Sequence, residues 1–221
     1  MRAGPQRVAI AVAIAIALAS VAGSAASDPL VQETKGVVVD WRRGVLIAHG
    51  GAAGDLRMPS AEMARAGAQR RATDAGRARL GEALRALPLG GGRKLDASSI
   101  ERALQRAQPK RVEYQTNGGV LLDLELPFGA WNEASPAGEA AAAVTLRLGE
   151  GALAAAPTLL VGDSEVTFSA VRYALASELP ADSHPVVVHA DKKGRLIPKE
   201  AGAAKDLASK SAVIYVQKIL R

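Results

Sequence analysis

The chain contains no cysteine. That excludes structural disulfides, thiolate catalysis, iron–sulfur clusters and the usual structural zinc sites, and it removes the acceptor for a bacterial lipid anchor. Aromatic residues are scarce too, at 3% of 221 residues. Valine, leucine and alanine must therefore fill the core, with few bulky anchors and many small contacts. Charge of one sign is not concentrated either. The formal charge is +6, and it falls to +4 once Arg2 and Arg7 are set aside with the leader described next. An excess of that size suits an acidic surface partner but falls short of the basic patch that nucleic acid demands. What remains is an ordinary globular balance, 48% hydrophobic and 23% charged, in a chain long enough for one sizeable core or two small ones.

The longest apolar run stands at the start. Arg2 and Arg7 form a short basic region, residues 8–19 are unbroken apolar, and residues 20–27 are small. Ser24 and Ala26 take the minus-three and minus-one spacing of a signal-peptidase site, which predicts a secretory signal peptide over residues 1–26. A retained anchor is the alternative, because residues 8–26 are just long enough to span a bilayer. Their alanine content and their small-residue end favour cleavage. The expectation is an exported protein, periplasmic or secreted, that meets the membrane only through its signal peptide. Residues 27–221 are read as a single domain, with a candidate sub-boundary at 129–142.

Residues 60–87 carry the longest helical period. Ala61, Ala64, Ala68, Ala72, Gly76, Leu80, Ala83 and Leu87 recur every three or four residues and so share one stripe. Side chains this small let a helix lie close against a sheet. Ser60 is a good N-cap, and Glu62 suits the positive end of the helix dipole. The opposite face carries Arg70, Asp74, Arg77 and Arg85. It reads either as a docking face for an anionic polymer or as a solvated face with ion pairs such as Arg70 to Asp74, and the interleaved acids favour the second.

Strand signals surround this helix. Residues 36–41 and 44–49 read as two short strands, and the glycine-rich 50–54 as a flexible connector. The run HGGAAG lacks the GK[ST] ending of a phosphate loop, and no GxSxG elbow follows it. Residues 88–93 break the helix, and Ser98 to Glu101 form a capping box for a second helix over 99–107. Residues 111–115 and 120–126 flank Asn117-Gly118, the preferred pair for a type I′ hairpin turn. Residues 129–142 read as a loop. Further strands are predicted at 144–148, 158–161, 165–170, 185–190 and 212–220, with a short helix at 199–210. The sum is an α+β fold built on a mainly antiparallel sheet of about six to eight strands, packed by one long helix and two short ones.

Candidate chemistry is thin. Asp123 and Glu125 share one face of their strand and are the first choice for an acid/base pair or a cation site, but simple alternation predicts the same pattern. His184 and His189 point to opposite faces of an extended run; His189 and Asp191 can share one, but two groups do not close a metal site. His49 stands far from both in sequence, and Ser164 and Ser169 lie in a hairpin without an oxyanion signature. No catalytic, cofactor-binding or metal residue is assigned.

The order of pieces carries more than any one of them. VVVDWRRGVLIAHGGAAG precedes the long helix, RVEYQTNGGVLLDLELPFG follows a short one, and PTLLVGDSEVTFSAVRYA leads to HPVVVHADKKG and SAVIYVQKIL. In this order the chain resembles the exported bacterial envelope family that includes small outer-membrane lipoproteins and the amino-terminal domain of the flagellar assembly protein FlgT. The resemblance implies an α+β domain in the periplasm or at the outer membrane, with no catalytic residues to transfer. The absence of cysteine separates this chain from the lipoprotein members. The expected role is a non-enzymatic envelope accessory or scaffold protein that binds an envelope or flagellar protein, without nucleic acid or cofactor. An envelope glycan or ester hydrolase using Asp123, Glu125 or His189, or a module binding anionic polymer through the arginine-rich helix, are the alternatives.

Overall fold

The Ser60 hydroxyl accepts the Met63 N–H at 3.3 Å, closing the first turn of α1 (Ala61–Ala86). Residues 28–131, 142–148, 153–161, 164–168, 171–181, 186–191, 195–198 and 212–218 are described by the computed structural model. The predicted signal segment, the helix expected at 199–210 and most of the expected loop at 129–142 lie outside them. Ala64, Ala68, Ala72, Gly76, Leu80 and Leu84 form the buried stripe of α1. That stripe packs on β3 (Val45–Ala52) and β5 (Val120–Pro127).

The approach of helix to sheet is set by glycine on both sides. A Cβ at Gly76 would stand 2.8 Å from the Leu124 side chain, and one at Gly50 would collide with the Ala72 carbonyl. Gly50 and Gly51 belong to β3 rather than to the flexible connector expected from their composition, and it is Gly50 that lies against the helix. Only a residue without a side chain lets β3 continue beneath the helix backbone.

The chain is α+β. Its first sheet is antiparallel throughout, in the order β1-β2-β3-β5-β4, with β1 (Val31–Thr34), β2 (Val37–Asp40) and β4 (Gln108–Tyr114). β1 carries no clear strand signal in its mostly polar, exposed sequence VQET; it is added by a two-residue turn in which Lys35 and Gly36 both take positive φ, 51° and 76°. The β4–β5 hairpin differs from the expected type I′ turn. The Gly118 N–H bonds the Gln115 carbonyl and the Gln115 N–H bonds the Gly119 carbonyl, so Thr116 and Asn117 take the corners. Positive φ falls on Gly118 alone of the three, the pattern of a three-residue loop closed by a bulge.

A second sheet has seven strands in the order β8-β7-β11-β10-β6-β12-β9. These are β6 (Ala142–Leu148), β7 (Thr158–Val161), β8 (Ser164–Thr167), β9 (Val171–Leu175), β10 (Val186–Ala190), β11 (Arg195–Pro198) and β12 (Ala212–Lys218). Here β6 pairs β10 and β12 in parallel, as do β7 with β11 and β9 with β12. The expectation of a single antiparallel sheet thus holds for the first sheet, while the second is mixed. Hairpin signals report neighbouring strands and are silent on crossover pairing.

α2 (Ala97–Gln105) buries Ile100 and Ala103. Its cap is Asp96, one turn before the predicted helix start: the carboxylate accepts the Ser99 N–H and the Ser98 hydroxyl, each at 2.7 Å. Those bonds, the backbone one first, hold the Asp96 carboxyl below its usual range. A carboxyl with a depressed folded pKa stabilises above its unfolded pKa, and that stability is lost as pH falls through the folded value. Asp96→Ala is therefore expected to lower the urea midpoint at pH 7, with the gap from the parent closing toward pH 3. A gap independent of pH would assign the loss to something other than the ionised cap.

The two sheets meet at an aromatic knot. The Trp41 ring meets Phe128 at 5.4 Å and Tyr173 of β9 at 5.7 Å, both edge to face, and Phe128 meets Trp131 at 6.4 Å. The Tyr173 N–H donates to the Trp41 carbonyl at 3.0 Å. Its hydroxyl donates to the Ala154 carbonyl at 2.7 Å, and burial pushes that hydroxyl well above its ordinary range. Beside the knot, Arg93 donates to the carbonyls of Gly90 and Ala156, both at 2.9 Å, and to the Thr158 hydroxyl at 3.1 Å. Four of the seven aromatic residues, Trp41, Phe128, Trp131 and Tyr173, thus gather at this one junction.

Candidate functional site

Alternation along β3 and β5 sends Leu46, Ala48, Gly50, Leu122, Leu124 and Leu126 beneath α1. The other parity builds the open face of the first sheet. His49 stands opposite Asp123 in the register, and its Nδ1 lies 2.7 Å from the Asp123 carboxylate. Two residues along β5, Glu125 receives Arg43 from the β2–β3 turn at 2.6 Å and faces Lys110 of β4 at 3.8 Å. Arg111 and Glu113 pair along β4. Between these charges run Val38 and Ile47, half-buried neighbours in the register, with Leu121 and Val31 at the margins, 44% and 40% exposed.

Of the sequence candidates, Asp123 and Glu125 do share this face, each already engaged by a basic partner. His49 was the residue missed: it is 74 positions from Asp123, and only the β3–β5 register joins them. Its parity within β3 was the one signal that placed it on the open face. His189 lies on the second sheet, opposite Ile197 in β11, and is exposed. Asp191 accepts the Arg195 N–H at 2.9 Å and its Nε at 2.7 Å, so it caps a turn and binds a neighbouring arginine. Arg195 also reaches Glu165 at 3.1 Å. The side chain of Ser164 and all of His184 and Ser169 fall outside the described residues.

Two members of a proton relay stand together in His49 and Asp123. The shallow depression beside them is lined by Gly50, Arg111, Glu113, Leu121 and Leu122, which offer no hydroxyl or thiol to be activated. Cross-strand opposite charges are also what a solvated antiparallel face uses for stability. Among the described residues no three His, Asp or Glu side chains group as metal ligands, and no helix is long and apolar enough to cross a membrane.

On the outer face of α1, Arg70, Asp74 and Arg77 line a shallow surface depression. The expected Arg70–Asp74 pair is not formed in the structure. The order is the weaker one for a helix, with the base preceding the acid, and an exposed pair of this kind contributes only a few tenths of a kcal/mol, roughly, against side-chain entropy. No family model matches the chain, and no curated protein shows significant similarity to it.

Proposed function

We propose that the protein is a non-enzymatic accessory or scaffold component of the bacterial envelope that binds another protein through the open face of its first sheet. One observation carries this reading. α1 packs on one face of that sheet, while the other presents the half-buried pair Val38 and Ile47, with Leu121 farther along, interleaved with the pairs Arg43–Glu125 and His49–Asp123. Accessible apolar side chains set among charged and polar ones are a surface that a protein partner can cover. The edge strand β4 is the poorer docking element. Pro109, a register shift between Pro109 and Arg111, and the basic side chains of Lys110 and Arg111 oppose addition of another strand.

The long alanine-rich helix then serves as the spine that holds the sheet in shape, and its arginine face is solvated. Export rests on the leader-like residues 1–26, and the envelope or flagellar setting rests on the family resemblance. A photo-crosslinking residue placed at Leu121 in living cells tests the interface. The expected result is one adduct of defined mass that disappears with Ile47→Asp on the same chain, with no adduct from a crosslinker at Arg77. Equal labelling from both positions, or none from Leu121, would sink the reading.

A further inference from the structure

A cavity of about 330 Å³ lies on the helix side of the first sheet, between the β1–β2 hairpin and the C-terminal half of α1. Its wall is apolar: Val37, Val39, Trp41, Leu87 and Leu153. Its volume sits at the lower end of the roughly 300–1,000 Å³ found for small-molecule pockets, so it suits a short ligand rather than a full lipid. Lys35, Arg79 and Glu82 line it as well, all exposed, and they leave one net positive charge.

Arg79 is anchored by its side chain, and Lys35 stands on a constrained turn. Lys35 occupies the first corner of the two-residue turn with φ 51°, and its side chain is exposed. Arg79 lies across Gly36, where a Cβ would sit 3.8 Å from its side chain, and one of its N–H groups donates to the His49 carbonyl. The remaining guanidinium donors are directed by that anchor. An apolar pocket with an exposed ammonium and an anchored guanidinium at its rim fits an apolar body that ends in an anion.

We infer that this cavity binds a single-chain carboxylate amphiphile of medium length, the chain lying against Trp41 and Leu87 and the carboxylate meeting Lys35 and Arg79. The inference is independent of the proposed interface, which lies on the opposite face of the sheet. Glu82 sets the requirement that the head be small, because a bulky anion would meet its carboxylate.

Titration of the purified protein with decanoate, followed through the two indole N–H resonances, provides the test. The Trp41 signal is expected to move saturably while Trp131, which does not line the cavity, stays in place. Lys35→Glu is expected to weaken decanoate about tenfold, since it replaces an attraction with a repulsion at a partly solvated site. Ala83→Leu fills the cavity from the helix side and is expected to abolish binding; if that variant does not fold, the charge variant still decides. Decyltrimethylammonium or decanol binding as tightly as decanoate would overturn the assignment of an anionic head. An unmoved Trp41 signal at millimolar decanoate would overturn the site itself.

Discussion

Trp41→Ala is expected to lower the free energy of unfolding by about 3–5 kcal/mol, the usual cost of truncating a fully buried large aromatic residue. Trp41 is 2% exposed and joins three parts of the chain. Its ring packs edge to face on Phe128 and Tyr173, its backbone N–H donates to the Leu30 carbonyl at 2.9 Å, and its carbonyl accepts from the Tyr173 N–H. The loss is large because the hole opens where the two sheets meet, and each backbone there is already fixed by hydrogen bonds, so collapse around the void is limited. Since small domains hold only about 5–15 kcal/mol in total, the variant should sit near the edge of folding at 37 °C. Trp41→Phe should be far milder, about 1–2 kcal/mol, because it keeps the ring contacts in part and removes an indole N–H that has no hydrogen-bond partner in the structure. Urea denaturation followed by Trp131 fluorescence and far-ultraviolet circular dichroism gives both numbers. A loss below about 1 kcal/mol for Trp41→Ala would mean that the knot does not hold the sheets together.

Local signals reached the sequence most clearly. The Ser60 cap, the alternation of Val120, Leu122, Leu124 and Leu126, and the strand at residues 158–161 are each decided within a few neighbours. What stayed hidden depends on pairing over distance. β1 is exposed along its whole length and exists because a turn at Lys35-Gly36 folds it against β2. The parallel pairings of β6 with β10 and β12 join segments separated by some forty to seventy residues, and nothing in the side-chain pattern of a strand names its partner. The site divides along the same line. Asp123 and Glu125 could be placed on one face from alternation alone, but their partners His49 and Arg43 come from before the long helix and are delivered by register. The cavity lined by Trp41 and Lys35 is less legible still, because it lies between a hairpin that is silent in sequence and the end of a helix.

Adjacent glycines should respond in opposite ways to the same substitution. Gly50→Val is expected to destabilise by about 3 kcal/mol, the upper range for overpacking, because the new Cβ enters the space of the Ala72 carbonyl and a helix backbone cannot turn aside as a side chain can. Relief would require α1 to lift from β3, which would also separate Gly76 from Leu124 and open the stripe along its length. Gly51 faces the other way. A Cβ there would meet only the Leu121 side-chain end at 3.0 Å, on the exposed face of the sheet, where that side chain is free to rotate. Gly51→Val therefore costs little in space and gains from the strand preference of a β-branched residue and from reduced freedom of the unfolded chain, so its stability should equal or exceed the parent's by up to about 1 kcal/mol. Thermal and urea unfolding of the two variants side by side measure the contrast. Equal destabilisation by both would show that the β3 backbone, rather than the closeness of α1, is what demands glycine; no effect from Gly50→Val would show that helix and sheet lie farther apart than the buried alanine stripe requires.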